Sequence, residues 1–85
     1  MKHARSDYDR IQDPAGLIPD DEPVFLLRGQ DAAAPSTVEF WAAAAAGRGA
    51  KQDIVTAAYR QANLMRDWQR EHASKIPDMP TEPTP

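Results

Sequence analysis

The sequence predicts a small α+β protein, mostly α: a short N-terminal strand and loops, then an antiparallel two-helix hairpin, assembled as a homo-oligomer. Three observations carry this expectation. The one dense apolar run, Val24-Phe25-Leu26-Leu27, lies between Pro23 and Gly29, as a short strand does. Two stretches further on, about 36–46 and 51–74, have helical composition or spacing, and only a short Gly-Arg-Gly link divides them. Helices joined that closely pack as antiparallel neighbours. Finally, the chain has 85 residues and no cysteine, so its core is small and no disulfide supports it.

Taken in order, residues 1–7 are polar and read as a flexible tail. Tyr8-Asp9-Arg10-Ile11 suits one short extended piece. Asp13-Pro14-Ala15-Gly16 is a turn signal: Asp bonds nearby backbone, Pro presets φ and Gly permits positive φ. Pro19 biases Ile18 towards extended backbone, and Asp20-Asp21-Glu22-Pro23 forms a second, acidic turn. Residues 24–28 are the strand. An apolar run of that length also fits a buried helix, but the flanking Pro and Gly favour the strand. It must pair, because a lone strand leaves its backbone groups unsatisfied. The candidates are residues 8–11, Leu17-Ile18, or the same strand in another subunit.

The first helix is expected from Ser36-Thr37-Val38-Glu39, a capping box with Ser36 as cap and Glu39 reaching back. Asp31 followed by Ala34-Pro35 offers a competing, earlier start. The run Ala42 to Ala46 favours helix by propensity, and Gly47 suits the left-handed terminating position. In the second helix Ile54, Ala57, Ala58, Gln61, Met65, Trp68 and His72 form one mostly apolar stripe, with Leu64 beside it. Alanine buries little area, so Phe40, Trp41, Met65 and Trp68 are expected to carry much of the packing. A single small domain over 8–75 and a Pro-rich tail over 76–85 complete the expected organisation.

Removing the polar start and the Pro-rich end leaves about 70 residues, a size at which one core rarely supplies more than about 3–5 kcal/mol. His3 and His72 are far apart in the sequence and belong to no ligand-spaced cluster. No metal and no cofactor are expected, so a second copy is the simplest source of further stability. The net charge is −3, with both signs spread along the chain and no Lys/Arg-rich run. That composition argues against extended nucleic-acid partners. No stretch approaches the roughly 20 apolar residues of a membrane span, and no signal core follows the start. A cytoplasmic protein that makes no membrane contact is the expectation.

Tyr8-Asp9-Arg10-Ile11-Gln12-Asp13-Pro14, Gly16-Leu17-Ile18-Pro19 and Asp21-Glu22-Pro23-Val24-Phe25-Leu26-Leu27-Arg28-Gly29-Gln30-Asp31 resemble the pattern of a family of small proteins from tailed phages and prophages. The likeness extends loosely through the helical half to Arg66-Asp67-Trp68. It implies a phage accessory protein acting in the host cytoplasm, and it brings no catalytic residues. Small phage accessory proteins are often counter-defence factors, an association rather than a mechanism.

No Ser/His/Asp or Cys/His arrangement is present and His72 has no nucleophile beside it, so an enzyme is not expected. The candidate ligand site starts at Arg28-Gly29-Gln30-Asp31, where strand gives way to helix. Arg28 suits a phosphate or carboxylate, and Gln30 and Asp31 suit a hydroxyl or base edge. Local pairing of Arg28 with Asp31 or the acidic turn is the plainer reading. Tyr59, Arg60, Arg66 and Trp68, with Tyr8 and Arg10 ahead of them, add rings and guanidinium groups of the kind that hold nucleotides; a core Trp68 and solvated arginines are the plainer reading there. Asp20, Asp21 and Glu22 lack the spacing of a calcium loop. The function expected is sequestration of a small nucleotide-like host immune signal in an oligomer. The alternatives are a protein-binding inhibitor of a host defence complex and a phage structural or assembly accessory.

Overall fold

A computed structural model describes residues 2–8 and 13–79. The chain divides into two compact units, one of Met1–Leu26 with Asp78–Pro85 and one of Leu27–Pro77.

In the first unit, β1 (Lys2–His3) pairs in parallel with β2 (Pro23–Val24), Lys2 opposite Pro23 and His3 opposite Val24. The strand expected over 24–28 is therefore only two residues long in this sheet, and its partner is the segment expected to be a flexible tail. Pro23 lacks an N–H, which suits the first residue of a strand. Residues 5–8 also take a defined arrangement. Ser6–Tyr8 forms a single 3₁₀ turn, and the Arg5 guanidinium spans Asp7 (Nε–Oδ1 3.0 Å) and Asp78 (Nη1–Oδ1 3.2 Å) while lying 4.7 Å from the centre of the Tyr8 ring. The two turns expected downstream are present. Asp13 accepts from the Leu17 and Ile18 N–H groups at 3.1 and 3.0 Å, with Gly16 at φ +63°. Glu22 N–H closes onto the Pro19 carbonyl at 3.1 Å. Residues 9–11, named above as a strand partner, lie outside the described residues.

The second unit is the helical hairpin. Helix α1 spans Ala34–Gly47 and α2 spans Gln52–Glu71. They run antiparallel: Glu39 meets Arg66 near one end, and Ala42 packs with Val55 and Ala58 towards the other. The start of α1 follows the earlier of the two expected signals. Ala33 occupies the capping position with no side-chain cap. Asp31 shapes the preceding turn instead, its carboxylate accepting from Ala33 N–H at 2.8 Å and its carbonyl from Ala34 N–H at 3.0 Å. Pro35 fits the first turn, where its missing N–H costs nothing. Ser36 is already helical and Glu39 pairs with Arg66, so the capping box over residues 36–39 does not form.

The end of α1 is a Schellman motif. Ala50 N–H reaches the Ala45 carbonyl at 3.0 Å and Gly49 N–H the Ala46 carbonyl at 3.1 Å. Gly49, at φ +88°, takes the left-handed position expected at Gly47, which stays helical. Helix α2 stops at Glu71, short of the expected 74, because the chain turns back. Lys75 N–H donates to the Gln30 carbonyl at 2.6 Å, and Ala32 N–H donates to the Lys75 carbonyl at 2.8 Å.

The seam between the helices is built from small side chains. Ala34, Pro35, Ala42, Val55, Ala58, Ala62 and Met65 are the buried apolar residues among those described. The expectation that aromatic residues carry the packing is corrected: Phe40 is 77% exposed, Trp41 50% and Trp68 41%. The reason is geometric. At about 100° per residue, Phe40 projects from the side of α1 opposite Val38 and Ala42, and alanines let the helices approach too closely to admit an indole between them. Ala42→Leu is expected to overpack this seam and lower stability by about 1–3 kcal/mol, measured as a lower denaturant midpoint with unchanged slope.

Candidate functional site

The site lies within the hairpin unit. Asp31 N–H donates to the Arg28 carbonyl at 3.0 Å, closing a turn over Gly29 and Gln30. One amide locks that turn to α2: Gln69 Nε2 donates to the carbonyls of Gly29 and Asp31, both at 2.9 Å. With the backbone held, residues 27–30 and the flank of α2 enclose an open cavity of about 320 Å³. It is lined by Leu27, Arg28, Gly29 and Gln30 from the loop, and by Gln61, Leu64, Met65 and Trp68 from the helix. That volume is near the lower end of small-ligand sites.

The lining combines a cation, two carboxamides, an indole and an apolar floor. Met65 is buried, while Leu64 and Trp68 stay exposed. One face of the Trp68 indole is covered by the His72 imidazole, their ring centres 4.1 Å apart and their planes 14° from parallel. His72 Nδ1 lies 3.0 Å from the Trp68 carbonyl, which also accepts from His72 N–H at 2.9 Å. These contacts hold the ring at the helix end and the indole beneath it.

The sequence-derived candidates separate here. Arg28, Gln30 and Trp68 line one cavity. Asp31 is adjacent but shapes the start of α1 and forms a parallel bridge with Lys75. Tyr59 and Arg60 are exposed on α2 and do not line the cavity. Arg66 makes a two-pronged pair with Glu39, Nη1 to Oε2 at 2.9 Å. That pairing, chiefly its hydrogen bonds, holds the Glu39 carboxyl below and the Arg66 guanidinium above their ordinary pKa ranges. Tyr8 belongs to the other unit, against Arg5, and Arg10 lies outside the described residues.

Gln61, Leu64 and Gln69 are not among the sequence-derived candidates for the site, although Gln61 belongs to the expected apolar stripe and Leu64 lies beside it. The spacing of 58, 62, 65 and 69 on one helix face is the available signal for Gln69: a glutamine continuing a line of packed residues must satisfy its amide. Among the described residues no three His, Cys, Asp or Glu side chains gather to hold a metal ion, and no helix is long and apolar enough to cross a membrane. No protein-family model, curated protein or solved structure matches the chain.

The Glu39–Arg66 pair gives the hairpin a defined acid response. Because the folded Glu39 pKa lies below its unfolded value of about 4.3, its contribution is complete above that value and is lost as pH falls through the folded pKa. Glu39→Gln is expected to flatten the loss of thermal stability below about pH 4.3, measured by melting at a series of pH values.

Proposed function

We propose that the protein is a non-enzymatic phage accessory protein that binds and sequesters a small nucleotide-like host immune signal in a homo-oligomer. The observation that carries this reading is the convergence of Arg28, Gln30, Gln61 and Trp68 on one cavity. A guanidinium matches a phosphate with parallel hydrogen bonds. Carboxamides both donate and accept, as a base edge or ribose requires. An indole stacks on a base without regard to its sequence identity. The same lining supplies no nucleophile activated by a base, so it suits holding a ligand and not transforming it. The phage setting draws on the resemblance of residues 8–31 to small phage proteins.

A second reading, a protein-binding inhibitor of a host defence complex, draws on Phe25 and Phe40, both more than 70% exposed. Co-purification of a host protein that is lost in Phe40→Ser would favour it over the ligand reading.

Calorimetric titration with cyclic mononucleotides, cyclic dinucleotides and ADP-ribose tests the proposal. At least one is expected to bind. Arg28→Ala weakens that binding at least about tenfold, and Trp68→Leu costs about 1–3 kcal/mol. Tyr59→Ala, outside the cavity, leaves the affinity unchanged. No heat with any of these compounds, from a sample with full helical signal, overturns the reading.

A further inference from the structure

Trp68 borders the cavity with one of its two faces already taken. Its indole is stacked on the His72 imidazole, the ring centres 4.1 Å apart and the planes 14° from parallel. Trp68 lines the cavity and His72 does not, so the covered face points away from the cavity and the other face towards it. The rest of the lining agrees. Leu64 and Gln61 precede Trp68 on α2 by about one and two turns, on the side of the indole opposite His72, and both border the same space.

The stack is built from the backbone outwards. Helix α2 ends at Glu71, and His72 leaves it with φ −129° and ψ 171°. Its N–H still donates to the Trp68 carbonyl at 2.9 Å, and its Nδ1 lies 3.0 Å from the same oxygen. A carbonyl oxygen has two lone pairs and only accepts, so His72 donates both bonds. Backbone and ring of His72 are thereby tied to the residue whose indole the ring covers. That cover matters because Trp68 is 41% exposed, and a side chain with so much open surface keeps several rotamers unless a neighbour packs it.

We infer that His72 is a positioning residue for the cavity: it holds the Trp68 indole so that the open face receives one flat aromatic ring of the ligand, the third layer of a stack. The stack has one place left, so a cavity takes one base, and a ligand with two bases keeps its second outside. The volume of about 320 Å³, at the lower end for small ligands, suits one base with its sugar and phosphate. Gln30 and Gln61 stand in the same lining to donate to and accept from the edge of that ring. An indole fixed before the ligand arrives also loses less freedom on binding. The inference rests on the nucleotide reading above and adds the residue that orients the ring.

Two matched probes test it. Adenosine 5′-monophosphate carries the ring, and ribose 5-phosphate has the same sugar and phosphate without it. Chemical-shift titration of the full chain is expected to show the adenosine compound binding at least about tenfold more tightly, at one molecule per chain. His72→Ala weakens it about three- to tenfold, the worth of an aromatic pair, and leaves ribose 5-phosphate unchanged, whereas a folding defect would weaken both. His72→Phe restores a ring and recovers the affinity to within about twofold of the parent. His72→Asn, with an amide but no ring, binds as weakly as His72→Ala. In a Trp41→Phe background, where Trp68 is the remaining indole, His72→Ala also loses near-ultraviolet ellipticity before any ligand is added. The inference alone is overturned if the two probes bind the parent equally, if His72→Ala weakens both or neither, if that ellipticity is retained, or if His72→Phe binds no better than His72→Ala. A folded parent that binds neither probe, nor any cyclic nucleotide or ADP-ribose, overturns the ligand reading with it.

Discussion

Ala42, Ala58 and Ala62 determine how near α1 and α2 come to each other, and most of the hairpin unit follows from that distance. Side chains this small admit backbones at the short end of the roughly 8–10 Å range for helix pairs. Val55 and Met65 are buried in the seam, whereas Phe40, Trp41 and Trp68 lie outside it. Glu39 and Arg66 come close enough to form a two-pronged pair at one border of it. Each buried alanine methyl removes little surface from water, worth about 0.8 kcal/mol. The seam is therefore well fitted but modest in energy, and the Schellman turn at Gly49 and the Asp31 turn matter more than they would around a larger core.

The cavity depends on the same economy of parts. Residues 27–31 contribute no regular element, so their conformation is fixed by hydrogen bonds: one turn closed on Arg28, two bonds from Gln69, and the return of the chain at Lys75. Gln69 continues the line of Ala58, Ala62 and Met65. The face that packs α1 at one end of α2 thus anchors the loop at the other. A loop ordered before any ligand arrives spares part of the entropy that binding would otherwise consume.

The sequence reveals the helices more readily than the sheet, for physical reasons. Alanine runs, a glycine-bounded link and a periodic stripe are local signals, and α1, α2 and their antiparallel packing follow from them. The turns at Asp13 and Pro19 are equally local. The sheet is not: Pro23–Val24 pairs with Lys2–His3, two residues with no strand propensity worth noting, in a contact between residues about 20 positions apart in the sequence. The capping box misleads because Pro35 and the Asp31 turn already start the helix, leaving Glu39 available to Arg66. For the site, Arg28, Gln30 and Trp68 are visible as types suited to a nucleotide, whereas the exclusion of Tyr59, Arg60 and Arg66 from the cavity requires knowing which side of α2 the loop covers.

That the large apolar side chains lie outside the seam has a consequence for how stability and binding relate. In most small domains the aromatic residues are spent on the core, and the surface retains little apolar area with which to bind. Here the order is reversed. Burying an indole or a leucine is worth about 1.5–3 kcal/mol, and α2 leaves Ile54, Leu64 and Trp68 with much of that energy unrealised. A surface of this kind gains from anything that covers it, whether the flat face of a ligand ring or another apolar helix. The weakness of the core and the capacity to bind are thus one property of the sequence, arising from the choice of alanine at 42, 58 and 62.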